Sequence, residues 1–178
     1  NTIQLFATGD SAVFFSLDKG WSSYTIHKST VFIFDNKLTA NSNRYMYGWE
    51  TTKNSYIVGS RVVIQRNEYS GNSTGDSSYF IISRGYHHSS TLTISENKVY
   101  VGARRYGRFM YVSERWYNST AEVLSNNAVV GGGETAQGIS WKTSSGNMDL
   151  AITIQDNILS VLANNRYLDG ITIELDSR

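Results

Sequence analysis

The chain has 178 residues, of which 40% are hydrophobic and 17% charged, and its formal net charge at pH 7 is +1. This composition supports a folded core and gives no electrostatic drive towards nucleic acid or an anionic membrane surface. The absence of cysteine excludes disulfides, a thiolate nucleophile and a cysteine-rich zinc site. No apolar run is long enough for a membrane-spanning helix, so we expect no membrane insertion. Because the net charge is close to zero, we also expect no nucleic-acid partner.

A repeat of about 30 residues runs through the chain. Each copy has the form apolar-x-apolar-x-x-Asn-x-apolar, as in VFIFDNKL at 31–38 and ITIQDNIL at 152–159. We predict a structural hydrogen-bonded ladder of the aligned asparagines, which are Asn36, Asn67, Asn97, Asn127 and Asn157. A sharp corner between strands needs a residue that tolerates positive φ, and we expect asparagine to fill that position. The opening segment NTIQL fits the second half of the pattern, with Asn1 and Ile3 in register.

A third strand-like segment follows each asparagine by about 12 to 17 residues along the chain. These segments are 13–17, 79–83, 109–113, 139–143 and 170–175. One further segment lies inside 45–53, where the sequence does not fix the register of the strand. Three short strands per coil, with alternating polarity and no helical stretch, predict an all-β parallel solenoid. We expect a single solenoid segment of five to six coils over residues 1–178.

Charged residues flank the asparagines and alternate in sign from one copy to the next. Asp35, Arg66 and Glu96 come directly before an asparagine, and a second set comes directly after one, namely Lys37, Glu68 and Lys98. In coils stacked roughly 4.8 Å apart, each column would bring opposite charges together. The alternation therefore supports stacked coils.

The repeat resembles the right-handed parallel β-helix proteins of the pectin-lyase-like superfold. The resemblance implies three sheets, with the strands before each asparagine in the second sheet and those after it in the third. It also implies that ligands or active sites occupy a groove over the first sheet, where segments such as 79–83 lie. The residue pattern of STVFIFDN at 29–36 is similar to repeats in the dispersed-gene-family surface proteins of trypanosomes.

No amphipathic capping helix is visible at either end of the sequence, and solenoids need caps to stay soluble. We therefore expect a fragment of a longer solenoid, whose further coils would cover the ends. End-to-end stacking of copies into a fibre is the alternative. The stretch GNSTGD at 71–76 and the glycines at 131–133 are expected in a variable loop after the third-sheet strand.

Aromatic residues are frequent on the expected first-sheet segments, and they are Phe14, Phe15, Tyr79, Phe80, Phe109, Tyr111 and Trp141. Because successive strand residues point to opposite faces, one of each adjacent pair should face outward. Aromatic faces stack on sugar rings, so Tyr79, Phe109, Tyr111 and Trp141 are candidate ligand contacts. The alternative is that these side chains fill the core.

A basic cluster of Arg104, Arg105 and Arg108 is interleaved with Tyr106 and Phe109. Such a cluster suits sulfated or sialylated glycans, or phosphate. The alternative is a solvated loop that discourages aggregation at a strand edge.

Residues for catalysis are sparse. Lyases of the resembled superfold use clustered Asp for calcium and a basic residue on the first sheet, whereas here Lys142 stands alone among hydroxyls and aromatics. Asp35 and Glu96 would lie about 9.6 Å apart in stacked coils, near the upper limit for an inverting glycosidase pair. The intervening Arg66 would keep both ionised, so we predict no catalytic residue. The three histidines have no metal-ligand spacing, and we expect no metal and no cofactor.

Two glycosylation sequons begin at Asn72 and Asn118, and both are expected in loops or turns. The sequence as a whole favours a non-catalytic solenoid, extracellular or at the cell surface, acting as a rigid scaffold or adhesin. Its expected partners are glycans or surface proteins, besides further coils or copies of itself. A polysaccharide-active enzyme (a lyase, glycosidase or tailspike-like protein) and a purely architectural fibre remain as alternatives.

Overall fold

The computed structural model describes residues 2–6, 11–17, 24–143, 148–164 and 166–175. Its described residues form twenty β-strands and no helix, and the strands make three parallel sheets. The chain winds through the sheets in turn for about five turns. The predicted all-β parallel solenoid is therefore confirmed. Asn1 lies outside the described residues, and Ile3 pairs with Leu38 as predicted.

Sheet 1 contains the strands predicted to lie beneath a ligand groove. In spatial order they are β2 (Ser11–Leu17), β6 (Tyr45–Thr51), β10 (Ser77–Ser83), β14 (Tyr106–Ser113), β17 (Thr135–Thr143) and β20 (Tyr167–Leu175). The open register within 45–53 is fixed by pairing of Tyr47 with Tyr79 and of Trp49 with Ile81.

Sheet 2 holds the strands that precede the asparagines. One row consists of β4 (Thr30–Phe34), β8 (Arg61–Gln65), β12 (Thr91–Ser95), the second half of β15 (Trp116–Leu124) and β18 (Met148–Gln155). A second row joins the first half of β15, and consists of β3 (Tyr24–His27), β7 (Ser55–Val58) and β11 (Tyr86–His88). The first coils thus have four short strands rather than the three that were predicted.

Sheet 3 follows the asparagines. In spatial order it contains β1 (Thr2–Phe6), β5 (Lys37–Ser42), β9 (Glu68–Ser73), β13 (Lys98–Ala103), β16 (Asn127–Gly132) and β19 (Ile158–Ala163). The glycines at 131 and 132 and the residues 71–73 belong to these strands, so the prediction of a variable loop there is wrong for them.

One asparagine per coil lies at the corner between sheets 2 and 3, and hydrogen bonds join neighbouring members. We call this the asparagine row, and its members are Asn36, Asn67, Asn97, Asn126 and Asn157. In each of the first four, the Nδ2 group donates to the Oδ1 of the next member at 2.9 to 3.1 Å. The backbone N–H donates to the same oxygen, also at 2.9 to 3.1 Å. The polar atoms of this corner are thereby satisfied inside the stack.

The prediction of Asn127 as a member is wrong, because Asn126 takes that place. Lys98 pairs with Asn127 across 29 residues, whereas Asn127 pairs with Ile158 across 31. The coil between Lys98 and Asn127 is therefore shorter than the constant spacing assumed. Asn127 is exposed and begins β16.

Positive φ at this corner belongs to the residue before the asparagine. The φ angles lie between 51° and 56° at Asp35, Arg66, Glu96, Ser125 and Asp156. The expectation that asparagine takes up positive φ is therefore wrong. All five residues are exposed. Their positive φ costs on the order of 1 kcal/mol each, and the hydrogen bonds of the adjacent asparagines offset this cost.

The predicted charge alternation is confirmed for the first three coils. Arg66 donates two hydrogen bonds to the Asp35 carboxylate, at 2.8 and 2.9 Å. Glu68 lies 3.8 Å from Lys37 and 3.6 Å from Lys98. Because these pairs are exposed, they set the register of the coils more than they stabilise the fold.

A second row, which we did not predict, lies at the corner within sheet 2. We call it the serine row, and its members are Ser29, Ser60, Ser90 and Ser119. Each of the first three donates its backbone N–H to the Oγ of the next, at 3.1 to 3.2 Å. The hydroxyl of Ser90 also donates to the carbonyls of Ile57 and His88. Buried hydroxyls therefore satisfy the backbone at this second corner.

Candidate functional site

The outer face of sheet 1 is where ligand contact was predicted. Phe80 and Phe109 stack in the core with ring centroids 5.6 Å apart, so the preceding residues, Tyr79 and Arg108, point outward. The alternation of inward and outward side chains is interrupted after Phe80, because the next residue, Ile81, also packs in the core. The tyrosines of this face therefore lie beside one another on the outer side of the sheet, where Tyr79 is only 9% exposed and Tyr47 and Tyr111 are half-buried.

The same interruption affects the first strand of sheet 1. Phe14 and Phe15 both pack against the core, with Phe14 against Tyr69 and Phe15 stacked on Trp49 at 4.3 Å. The prediction that one of this pair faces outward is therefore wrong. The prediction for Tyr79 and Phe80 is correct.

Four side chains form the candidate site, which we call the tyrosine–arginine face: Tyr47, Tyr79, Arg108 and Tyr111. The ring centroid of Tyr79 lies 5.6 Å from that of Tyr47 and 6.4 Å from that of Tyr111. The guanidinium carbon of Arg108 lies 5.5 Å from the centroid of Tyr79 and 4.7 Å from that of Tyr111. Cation–π attraction therefore holds the guanidinium between two rings. Burial raises the pKa of Tyr47, which keeps its hydroxyl protonated.

Arg108 differs from its neighbours in having no carboxylate partner among the described residues. Arg84 on the same face donates to Glu50 at 2.8 Å, and Lys142 lies 3.1 Å from Glu174. The Nε of Arg108 also lacks a hydrogen-bond partner in the described chain. The centre of the face thus carries one positive charge that no carboxylate of the described residues neutralises.

Two further polar atoms on the neighbouring strand β17 lack a partner among the described residues. Gln137 pairs with Arg108 in the strand register, and its Nε2 donates to Asp169 at 2.9 Å while its Oε1 is unsatisfied. Ser140 is fully buried, and its Oγ is also unsatisfied. Each such atom costs roughly 1–3 kcal/mol. Both oxygens are buried, so they belong to the packing beneath this face.

Two predicted contact residues do not belong to this face. Phe109 and Trp141 have no exposed surface and lie in the core, where the Trp141 ring meets Trp116 edge-on at 4.8 Å. They face inward because their neighbours Arg108 and Lys142 face outward. Phe109 and Trp141 therefore stabilise the solenoid and cannot touch a ligand on its surface.

The other two predicted arginines are separated from Arg108. Arg105 donates from Nε to Glu134 at 3.0 Å, and this contact lowers the pKa of the Glu134 carboxyl. Its guanidinium also packs over the Tyr106 ring at 4.9 Å. Arg104 is exposed and lines a groove on the side of sheet 3. The predicted cluster is thus divided between the turn from sheet 3 to sheet 1, which holds Arg104 and Arg105, and sheet 1 itself, which holds Arg108.

The carboxylates considered for catalysis are held by cations or amides. Arg66 hydrogen-bonds to Asp35 and lowers the pKa of that carboxyl. Glu96 accepts a hydrogen bond from Gln65 at 2.8 Å. Both lie at the corner of sheets 2 and 3, away from the tyrosine–arginine face. Arg66 keeps Asp35 ionised, and neither carboxylate adjoins the candidate site.

A buried histidine was not predicted as part of the core. His87 stacks on Trp116 with centroids 3.6 Å apart, and its Nε2 lies 3.1 Å from the Oγ of Ser83. Ser83 in turn shares a hydrogen bond with Thr51. Burial lowers the pKa of His87 to about 3, so the ring is neutral at physiological pH. Its place inside the solenoid makes it structural.

Asn72 lies in a strand rather than in the loop or turn we expected, whereas Asn118 lies at the corner within sheet 2, directly before Ser119 of the serine row. Asn72 belongs to β9 and is partly exposed on the outer side of sheet 3. Asn118 belongs to β15, is exposed, and has a φ of 45°. The repeat spacing places both within regular coils because the loops between strands are very short.

The described residues contain no group of three or more His, Cys, Asp or Glu side chains that could hold a metal ion. Within that same part of the chain, no helix is long and apolar enough to cross a membrane. The chain matches no family model, no curated protein and no solved structure. The resemblance to the pectin-lyase-like superfold is therefore supported only as far as the parallel β-solenoid architecture.

Proposed function

We propose that this solenoid is a non-catalytic scaffold or adhesin, extracellular or at the cell surface, that binds acidic glycans on the tyrosine–arginine face. The observation that carries this proposal is the unneutralised charge of Arg108 between Tyr79 and Tyr111. A rigid sheet holds all three side chains, so little conformational entropy is lost on binding.

The chemistry of the face suits a sugar that carries a carboxylate or sulfate group. A guanidinium presents paired N–H donors that match the oxygens of such a group, and no described carboxylate pairs with the guanidinium of Arg108. Aromatic faces offer apolar surface for the C–H side of a sugar ring, and the tyrosine hydroxyls offer hydrogen bonds. The proposed ligand therefore combines an anionic group with a flat apolar side.

The carboxylates of this face support binding rather than acid–base chemistry. Glu50 is nearly buried and pairs with Arg84, and Glu174 pairs with Lys142. A general acid needs a raised pKa, whereas a carboxylate beside a cation is kept ionised. The polar groups of this face thus fit recognition of a ligand.

The proposal is tested by titrating the folded protein with sulfated, uronic-acid and neutral oligosaccharides and following binding by calorimetry. We expect binding of acidic oligosaccharides only, with affinity that falls as salt is added. Arg108→Gln should weaken binding at least tenfold. Arg61→Gln, which removes the same charge from the exposed side of β8, is the matched control and should leave binding unchanged. Equal binding of neutral and acidic oligosaccharides would refute the role of Arg108.

A further inference from the structure

A second surface feature lies on sheet 3, away from the tyrosine–arginine face. It is a groove of about 470 Å³ on the outer side of the sheet. Its lining includes Asn72, Tyr100, Gly102, Gly131 and Leu162. Tyr100 and Leu162 are more than half exposed, so the groove has apolar walls open to solvent.

The amide of Asn72 is directed into this groove. Asn72, Gly102 and Gly131 align on successive coils in the strand register. A β-carbon on Gly102 would come within 2.8 Å of the Oδ1 of Asn72, which shows that the amide leans over Gly102. The side chain of Asn72 makes no hydrogen bond to any described residue. Its amide nitrogen is therefore available for modification. Asn72 is the first residue of the sequon Asn-Ser-Thr at 72–74.

The open space beyond Gly102 is not a requirement of folding. Gly132 needs to be glycine because a β-carbon there would lie 1.9 Å from the carbonyl oxygen of Thr135. At Gly131, by contrast, a β-carbon would meet only the carbonyl oxygen of Val101, at 3.8 Å, and φ is not positive. Any side chain could occupy this position, and its absence keeps the groove open.

We propose that Asn72 carries an N-linked glycan and that its first N-acetylglucosamine lies in this groove against the Tyr100 ring. The distance from Gly102 to Leu162 spans two coil spacings, about 9.6 Å, which accommodates one pyranose ring. The apolar face of the sugar would pack on Tyr100 and Leu162. The second sequon differs, since Asn118 is exposed at a corner of sheet 2 and its Nδ2 approaches the Ser89 hydroxyl at 3.4 Å.

The modification is a group transfer from a lipid-pyrophosphate-linked oligosaccharide by the transferase of the secretory pathway. The Nδ2 of Asn72 forms a bond to C1 of the sugar and loses one proton to the solvent. The bond between C1 and the phosphate oxygen breaks, and the lipid pyrophosphate leaves with its electron pair. Because Asn72 lies in a paired strand, transfer would precede closure of the coil.

The test is secretion of the chain from a eukaryotic host, with trimming of any glycans to one sugar and mass spectrometry of the wild type, Asn72→Gln and Asn118→Gln. We expect a sugar on Asn72. Its N-acetyl methyl resonance should be shifted upfield by the Tyr100 ring, and Tyr100→Leu should abolish this shift. A sugar on Asn118 should show no comparable shift. An unmodified Asn72, with or without a sugar on Asn118, would overturn the proposal.

Two further results separate a docked sugar from a merely attached one. Gly131→Leu fills the groove without a steric clash with the backbone, so it should remove the upfield shift while leaving occupancy of Asn72 unchanged. A sugar on Asn72 that shows no contact with Tyr100 in the wild type would overturn the docking.

Discussion

Replacing Asn126 by alanine should destabilise the solenoid strongly, whereas replacing its neighbour Asn127 should not. Four hydrogen bonds depend on the Asn126 side chain: its Oδ1 accepts from the backbone N–H and the Nδ2 of Asn97, and its Nδ2 donates to Ile94 and Asn157. Asn126 and Asn97 are each 1% exposed, so water cannot easily replace the lost partners. At roughly 1–3 kcal/mol for each unsatisfied buried group, we expect a loss of about 4 kcal/mol.

The assay is chemical denaturation followed by circular dichroism, together with hydrogen exchange of the Asn97 backbone amide. Asn126→Ala should lower the free energy of unfolding by about 4 kcal/mol and accelerate exchange at Asn97, whose amide loses its acceptor. Asn127→Ala, at an exposed site, should change the free energy of unfolding by less than about 0.5 kcal/mol. An equal or larger effect at Asn127 would refute the strand register described for this coil.

Three further perturbations test other parts of the structure. Ser90→Ala should cost about 1–3 kcal/mol because it removes bonds to two carbonyls and one N–H, while Ser29→Ala, at the exposed end of the same row, should cost less than half as much in the same denaturation assay. His87 has a folded pKa of about 3 against 6.5 when unfolded, so the unfolded state binds the proton first and stability falls as pH drops below 6.5. We expect a loss of about 1.5 kcal/mol between pH 6.5 and roughly pH 5, which His87→Phe should abolish and His88→Phe should leave in place. Trp141→Ala should cost about 3–5 kcal/mol through the cavity it leaves in the core, and a loss of ligand binding without a loss of stability would contradict its placement there.

The repeat made the architecture predictable, because each coil must bury the same positions against its neighbours. Ile33, Ile64 and Ile94 fall one above another as their spacing indicates. The prediction failed in the fourth coil because Asn126 and Asn127 are adjacent there, and a constant spacing of 30 residues selects Asn127. The β-branched Val123, three residues before Asn126, pairs with Ile94 and was the signal that distinguishes them.

The candidate site was less predictable than the fold. Strand alternation alone separates Tyr79 from Phe80, but it cannot reveal that Phe80 and Ile81 both turn inward. It could not place Trp141 either, because a lone aromatic next to Lys142 suits both faces equally well. The serine row could have been found from its spacing, since Ser60 and Ser90 are 30 residues apart. A single sequence could not reveal which arginine lacks a carboxylate, because pairing depends on contacts between coils.

Chemical-shift mapping tests most directly whether the tyrosine–arginine face is the ligand-binding surface. A sulfated or uronic-acid oligosaccharide would be titrated into isotopically labelled protein, and the affected amides and side chains assigned. We expect shifts that cluster at Tyr79, Arg108 and Tyr111, with none at Arg61 on sheet 2. Perturbations confined to another surface, or none at ligand concentrations in the millimolar range, would contradict binding at this face.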